Sequence, residues 1–275
     1  MTFKNGFGAQ TDITYKTLTD PAVYSKGTPL TYPLGVVQPP LYVVSSISQQ
    51  IKDGMTETNR YTYEALRVHK QGKGLLGFGK RTQTDMLSGI FTTEEKEIYT
   101  ANQNKFFLPY TRKTSTYKAP NQLLSQVTNT LNHKNYTNNS IRIFPFIQST
   151  FAKEYEYSSL QHLKTSKATF DYDIYGNLTT SIQLLHPLSL DENASQDQFD
   201  HQTTIVTQYY NPDLTNWWNN KPLHITTTIR YKTENEIMNR EYFTFYEAGH
   251  PNFTMLQTKL NYPENNFSDP LSTRT

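Results

Sequence analysis

The run from Tyr61 to Arg81 reads Y-T-Y-E-A-L-R-V-H-K-Q-G-K-G-L-L-G-F-G-K-R, with Gly72, Gly74, Gly77 and Gly79 close together. Gly72, Gly74 and Gly77 satisfy G-x-G-x-x-G, and Gly74, Gly79 and Lys80 come within one residue of a Walker A loop. Such loops hold phosphate because a buried strand leads into glycines that open a helix, whose free N–H groups converge on the anion. The flanking residues do not fit that scheme. Tyr61, Tyr63 and Ala65 alternate with polar residues, as in a half-exposed strand. Lys80 to Asp85 is again strand-like, and Arg81 stands where Walker A needs a hydroxyl for magnesium. The segment therefore predicts a tight turn between two strands, with at least one glycine at positive φ and Leu75, Leu76 and Phe78 packed underneath. Lys70, Lys73, Lys80 and Arg81 then belong to a solvated turn and not to an anion site.

The remaining chemistry-bearing residues are dispersed. The seven histidines (His69, His133, His162, His186, His201, His224 and His250) include no H-E-x-x-H or H-x-H pair. A zinc site would have to be assembled from distant strands. Glu94, Glu95 and Glu97, Asp171 and Asp173, and Asp191 and Glu192 are acidic clusters that could serve glycoside hydrolysis. Residues two apart on a strand share a face, however, and often bracket a solvated turn. Asp171-x-Asp173-x-x-Gly176-Asn177 has the beginning of a calcium loop without its closing Glu, so Asp173, Gly176 and Asn177 read as a capped turn. There is no G-x-S-x-G elbow and no cysteine, which removes disulfides and thiolate metal sites. Trp217 and Trp218 with Asn219 and Asn220 could stack on a sugar, although packing is the commoner use of such a pair. The six Asn-x-Ser/Thr sequons mark polar turns. The expectation is a protein that is not an enzyme and uses neither cofactor nor metal.

Several of these runs also carry a family resemblance. Y-x-Y-E-x-x-R-x-x-x-Q-G-K-G-x-L-G-F-x-K-R-T-x-T-D, from Tyr61 to Asp85, resembles a signature of bacterial toxin-complex B components (TcdB) and their SpvB-like relatives. Gly6-Phe-Gly-Ala-Gln-Thr-Asp-Ile-Thr-Tyr15 is similar to the G-x-G-A-x-T-x-I-x-Y opening of that family. Phe170-Asp-Tyr-Asp-Ile-Tyr-Gly-Asn-Leu-Thr179 looks like a YD (Rhs) repeat. Trp217-Trp218-Asn219-Asn220-Lys221-Pro222 resembles the W-x-x-G-K-P step that follows, with Asn220 in place of the usual glycine. The resemblance implies a segment leading into the YD-repeat shell: part of the wall of an exported toxin-like protein that encapsulates a C-terminal effector. Its partners would be the remainder of a longer polypeptide or its other subunits. It would be secreted or at the bacterial cell surface, with the export signal outside this segment. The alternative is a cell-surface carbohydrate-binding β module using Trp217 and Trp218.

Composition sets the elements that must position these residues. Of 275 residues 35% are hydrophobic and the mean hydropathy is −0.69, yet 20 Tyr and 15 Phe supply large apolar faces with polar edges. Aromatic and Thr-rich sequence favours sheet over helix. A net charge of +2 gives no field suited to nucleic acid, and no apolar run approaches the roughly 20 residues of a membrane span, so neither nucleic acid nor direct membrane insertion is expected. Alternating runs return every 10 to 14 residues or so: Leu41 to Ile47, Arg60 to Lys70, Lys80 to Leu87, Ile90 to Thr100, Thr111 to Lys118, Thr165 to Tyr172 and Leu178 to Leu185, then others to Leu260. Asp53-Gly54, Ser88-Gly89 and Gly176-Asn177 are turns, Phe106 to Tyr110 is an apolar anchor closing the first block, and Asp191 to Gln198 is a flexible insert. The fold expected is all-β, with stacked antiparallel hairpins in a curved YD/Rhs-like sheet that forms an incomplete shell. A glycine-signature region, 1–112, is followed by a YD-repeat-like region, 113–275, the alternative being one continuous sheet through both.

Overall fold

The computed structural model describes residues 1–51, 55–101, 106–135, 142–212, 219–232, 236–246, 255–262 and 271–273. The described residues are strands and turns, with one short 3₁₀ turn at Gln196–Gln198. The all-β expectation of stacked antiparallel hairpins holds. No helix among the described residues is long and apolar enough to cross a membrane. The chain divides into two compact units, Met1–Asn129 with Glu154–Gln161, and Thr130–Lys153 with His162–Thr275.

In the first unit, β1 (Thr2–Lys4) pairs with β2 (Gln10–Thr17), which pairs with β5 (Tyr42–Gln50). From β5 the order runs through β6 (Thr56–His69), β7 (Gly74–Asp85), β8 (Phe91–Ala101) and β9 (Phe106–Ala119) to β10 (Gln122–Asn135), each antiparallel to the last. Two short strands lie on β6: β3 (Tyr24–Ser25) in parallel and β4 (Leu34–Val37) antiparallel. The buried centre is Leu18, Tyr24 and Leu66, with Val37, Val43, Tyr63 and Phe78 packed around it. The Tyr24 hydroxyl donates to Val37 O at 2.7 Å and accepts from Leu66 N–H at 2.9 Å. It thereby serves a strand amide at the place where Ala65 bends the strand, with φ +53°. The apolar anchor at Phe106 to Tyr110 is the first part of a longer strand. It runs unbroken into β9, with Pro109 paired opposite Ile98. The expected turn at Asp53-Gly54 lies outside the described residues.

Beyond β11 (Ile143–Tyr155), the second unit is a simple meander. It contains β12 (His162–Tyr172), β13 (Leu178–His186), β14 (His201–Tyr209), β15 (Pro222–Tyr231), β16 (Ile237–Phe245), β17 (Leu256–Tyr262) and β18 (Leu271–Thr273). Each strand from β12 onward pairs antiparallel with the next. Asp191 to Gln198, expected to be a flexible insert, instead folds onto the sheet. Ala194 and Phe199 are buried against Leu184 with Leu190 and Ile182 around them. The Lys167 ammonium donates to Glu192 O at 3.0 Å and Ala194 O at 3.1 Å. Thr165, fully buried, donates to Leu188 O and accepts from Leu190 N–H. An insert without periodicity is held here by its own carbonyls and two apolar side chains.

Candidate functional site

The glycine hairpin joins β6 to β7 through a turn at residues 70–73. Gly72, Gly74 and Gly77 have φ of +91°, +78° and +89°, a region cheap only for glycine. Gly72 lies in the turn itself, whereas Gly74, Gly77 and Gly79 belong to β7. Where a phosphate loop would open a helix, the strand continues to Asp85. Gly79 is set by packing and not by φ. A Cβ there would stand 2.8 Å from Arg67 Nη2 and 2.9 Å from its Nε. The Arg67 guanidinium thus lies flat across the Gly79 backbone and donates to Lys96 O at 2.7 Å, joining β6 to β8 over β7. Its Nε is buried with no hydrogen-bond partner among the described residues. Burial pulls its pKa down, against a smaller upward pull from Glu97.

The apolar residues of this hairpin divide. Phe78 packs on Tyr63 with ring centroids 4.7 Å apart and on Tyr24 at 6.3 Å. Leu76 is buried, but Leu75, expected underneath, is 59% exposed. The cause is a bulge. Arg67 pairs with Gly77 and Val68 with Leu75, so Leu76 is left out of the ladder and its neighbours exchange faces. Tyr63 donates its hydroxyl to Val44 O at 2.9 Å, and burial pushes the phenol's pKa up.

The basic residues of the signature do not converge. The Lys70 stem crosses Gly35, and the Lys73 ammonium lies 5.5 Å from the Phe107 ring centroid. Arg81 pairs with Glu94 at 2.8 Å on the neighbouring strand. Lys80 lies in a row of register partners, Glu64, Lys80, Glu95 and Lys113, whose signs alternate across β6 to β9. The four cations thus lie at separate places, one of them ion-paired across strands, and do not gather round one anion. Gln71 adds a hydrogen bond from its side-chain amide to the Tyr32 hydroxyl at 3.0 Å.

The second turn predicted from sequence has a similar character. Asp173 Oδ1 accepts from the N–H groups of Tyr175 at 2.8 Å and Asn177 at 2.9 Å, while Oδ2 accepts from Asn177 Nδ2 at 2.8 Å. Gly176 has φ +87°, with the Phe144 ring 3.3 Å from where a Cβ would stand. Asp171 points elsewhere, 2.7 Å from the Lys134 ammonium, whose hydrogen bond holds its carboxyl below the usual range. The carboxylates of the presumed calcium loop are therefore engaged by N–H donors and an ammonium. No group of three or more His, Cys, Asp or Glu able to hold a metal occurs among the described residues.

Beside this turn is a cleft of about 460 Å³ lined by Tyr175, Tyr209, Tyr210 and Asn219 among others. The hydroxyls of Tyr209 and Tyr210 donate to Leu178 O and Phe243 O, each at 2.9 Å, so both rings are pinned to the sheet. Trp217 and Trp218 lie outside the described residues, as does His250. Sequence reasoning names His186 only as a dispersed histidine and misses its approach to Asp200, 3.1 Å away where the insert rejoins the sheet. Asp200 also meets Lys232 at 3.4 Å. His201 is adjacent in register, opposite Leu185, which puts it on the other face from His186. Only the strand pairing brings these residues together, and no sequence spacing announces it.

Residues 1–112 match the family model described as the insecticide toxin TcdB middle/N-terminal region. No curated protein matches the chain. Among solved structures, TcdB2–TccC3 aligns with a TM-score of 0.66 at 10% identity, covering 95% of this chain and 18% of that chain. TcdB2–TccC3–Cdc42 aligns with a TM-score of 0.65 at 9% identity, covering 93% and 18%. The Photorhabdus luminescens Tc holotoxin pore aligns with a TM-score of 0.64 at 9% identity, covering 95% and 17%. The chain thus spans under a fifth of the solved chains that share its fold. By the family match over residues 1–112 and by a fold shared along almost all its length, the chain resembles a segment of a TcdB-like toxin-complex B component.

Proposed function

We propose that the chain is a structural segment of an exported Rhs/YD-repeat toxin-like protein, forming part of the wall that encloses a C-terminal effector. The observation that supports this reading most is how the signature is used. Tyr63, Phe78 and Arg67 are spent on strand-to-strand contacts, Arg81 on a cross-strand ion pair with Glu94, and Lys80 stands opposite Glu64 in the strand register. A run that looks like a ligand loop is consumed in making sheet, as a wall requires. The likeness in fold to TcdB2 over nearly the whole chain adds to it. In this reading the chain does no chemistry and acts by excluding solvent and protease from what lies behind it, outside the producing cell or at its surface.

The test is protease protection in the polypeptide expressed from its native reading frame. With an intact wall, the effector segment should survive proteinase concentrations that digest it when expressed alone. Leu184→Asp, which places a charge in the small core beneath the insert, should expose it. An effector cleaved equally fast with and without the intact wall overturns the encapsulating role.

A further inference from the structure

We infer that Asn5 is a self-modification site: the Gly6 amide nitrogen attacks the Asn5 side-chain carbonyl, and water converts the residue to isoaspartate. Asn5-Gly6 is the only Asn-Gly pair in the chain, and both residues lie exposed in the turn between β1 and β2. Asn5 Oδ1 accepts from the N–H groups of Phe7 and Ala9, both at 3.0 Å. The bond from Phe7 closes an Asx turn, which folds the side-chain carbonyl back over the intervening Gly6 amide. Nucleophile and electrophile are therefore neighbours held in place, as ring closure requires. The same two N–H groups draw electron density from Cγ and face the oxygen on which negative charge develops. The nucleophile itself is open. The turn's other N–H groups donate within it, Asn5 to Ala9 O at 3.1 Å and Gly8 to Asn5 O at 3.0 Å, besides Phe7 and Ala9. No bond engages Gly6 N–H among the described residues. Gly6 has no side chain to shield its nitrogen, and a Cβ there would meet nothing within 4 Å.

Hydroxide takes the Gly6 amide proton, and a bond forms from Gly6 N to Asn5 Cγ. The Cγ–Nδ2 bond breaks, and ammonia leaves with a proton from water, so that a succinimide remains. Water then opens this ring. Opening at the side-chain carbonyl gives aspartate, and opening at the main-chain carbonyl gives isoaspartate. Water is consumed and ammonia released, with no change of oxidation state. Isoaspartate routes the main chain through Cβ and Cγ and leaves the former Asn5 carbonyl as a free carboxylate. The Gly8 bond to Asn5 O is then lost and the turn is longer. β1 can no longer hold Thr2, Phe3 and Lys4 opposite Asp12, Thr11 and Gln10. All three β1 residues are exposed, so little burial opposes their release. The modification thus uncovers the edge of β2 at residues 10–12. It is a reaction the chain undergoes, not catalysis of a substrate, and it needs only this turn and water, whatever the chain encloses.

The experiment incubates the whole folded chain at neutral pH in water enriched in oxygen-18, with peptide mapping by mass spectrometry over time. Position 5 should gain heavy oxygen about tenfold faster than in a synthetic peptide of residues 1–16, the advantage of held geometry and two donors. Isoaspartyl methyltransferase should label the converted site. Gly6→Ala should slow the gain severalfold by shielding the nitrogen, with melting unchanged because the added methyl has open space. In the converted chain, hydrogen exchange should show protection lost in β1 and at residues 10–12, and kept in β5 to β9. No heavy oxygen at position 5 overturns the site. A folded chain that reacts more slowly than the peptide also overturns it, since the turn would then guard Asn5. So does a Gly6→Ala chain that reacts as fast as wild type. Isoaspartate formed with β1 still protected would overturn the release of the strand.

Discussion

Arg67 and Gly79 show how a signature residue is fixed by another that the sequence does not place beside it. An alanine at position 79 would press its methyl against a guanidinium held by Lys96 O, at 2.8–3.0 Å. Overpacking of this kind costs about 1–3 kcal/mol. Arg67→Ala should remove most of that penalty, so a double-mutant cycle by chemical denaturation should show strong coupling between the two positions. Gly74→Ala should cost about 1–2 kcal/mol whichever residue is at 67, since its φ of +78° is strained for any side chain. Additive costs for Gly79→Ala and Arg67→Ala would show that the stacked guanidinium is not what demands glycine. The need for glycine in this segment is legible in the sequence, but its reason is not, because positive φ and close packing leave the same letter. Ala65 is the reverse case: it takes φ +53° with no sequence sign at all, and Tyr24 makes good the strand hydrogen bond that the bend misdirects.

At the scale of elements, hydrophobic alternation locates most strands to within a few residues, because a half-buried sheet writes its period into the chain. It fails where contacts are made by backbone and by residues far away. The insert after β13 carries no period, yet Lys167, which holds its carbonyls, is 25 residues from Glu192 and 27 from Ala194. Lys167→Met keeps the stem and deletes the donor. It should cost about 2–3 kcal/mol, as hydrogen bonds to a charged group are lost, and should open residues 188–199 to limited proteolysis. Unchanged cleavage there would mean that Phe199 and Ala194 hold the insert alone. The turn after β11 is fixed by charge. Glu156 accepts from the Ser158 hydroxyl at 2.6 Å and from Ser159 N–H, and these bonds lower its pKa from 4.5 to about 2. A carboxyl depressed in the folded state stabilises at pH above its unfolded value and loses that contribution as pH falls toward the folded one. Between about 4.5 and 2 the wild type should therefore lose melting temperature more steeply than Glu156→Gln. Parallel acid limbs in thermal melts would count against this turn contributing.

Each unit of the molecule answers to a small core of its own: Leu18, Tyr24 and Leu66 in the first, Leu184, Ala194 and Phe199 in the second. The composition foretells such thin cores. With 35% hydrophobic residues and many tyrosines, burial is spread over half-covered aromatic faces and is not concentrated at one centre. What composition cannot supply is which few residues become most deeply buried, since Leu18 lies just beyond β2 and Phe199 just after the insert, both outside the regular strand pattern. Large-to-small changes at these points should cost about 2–5 kcal/mol each, with the value set by how far the site can collapse. Their effects should also be local, because each strand packs mainly on its sequence neighbours and cooperativity in such meanders falls with distance. Leu18→Ala should lower amide protection in β5, β6 and β7, and Phe199→Ala in β12, β13 and β14. Hydrogen exchange measured on the whole chain decides it: protection lost evenly over both units after either substitution would mean that one shared core, and not two, sustains the fold.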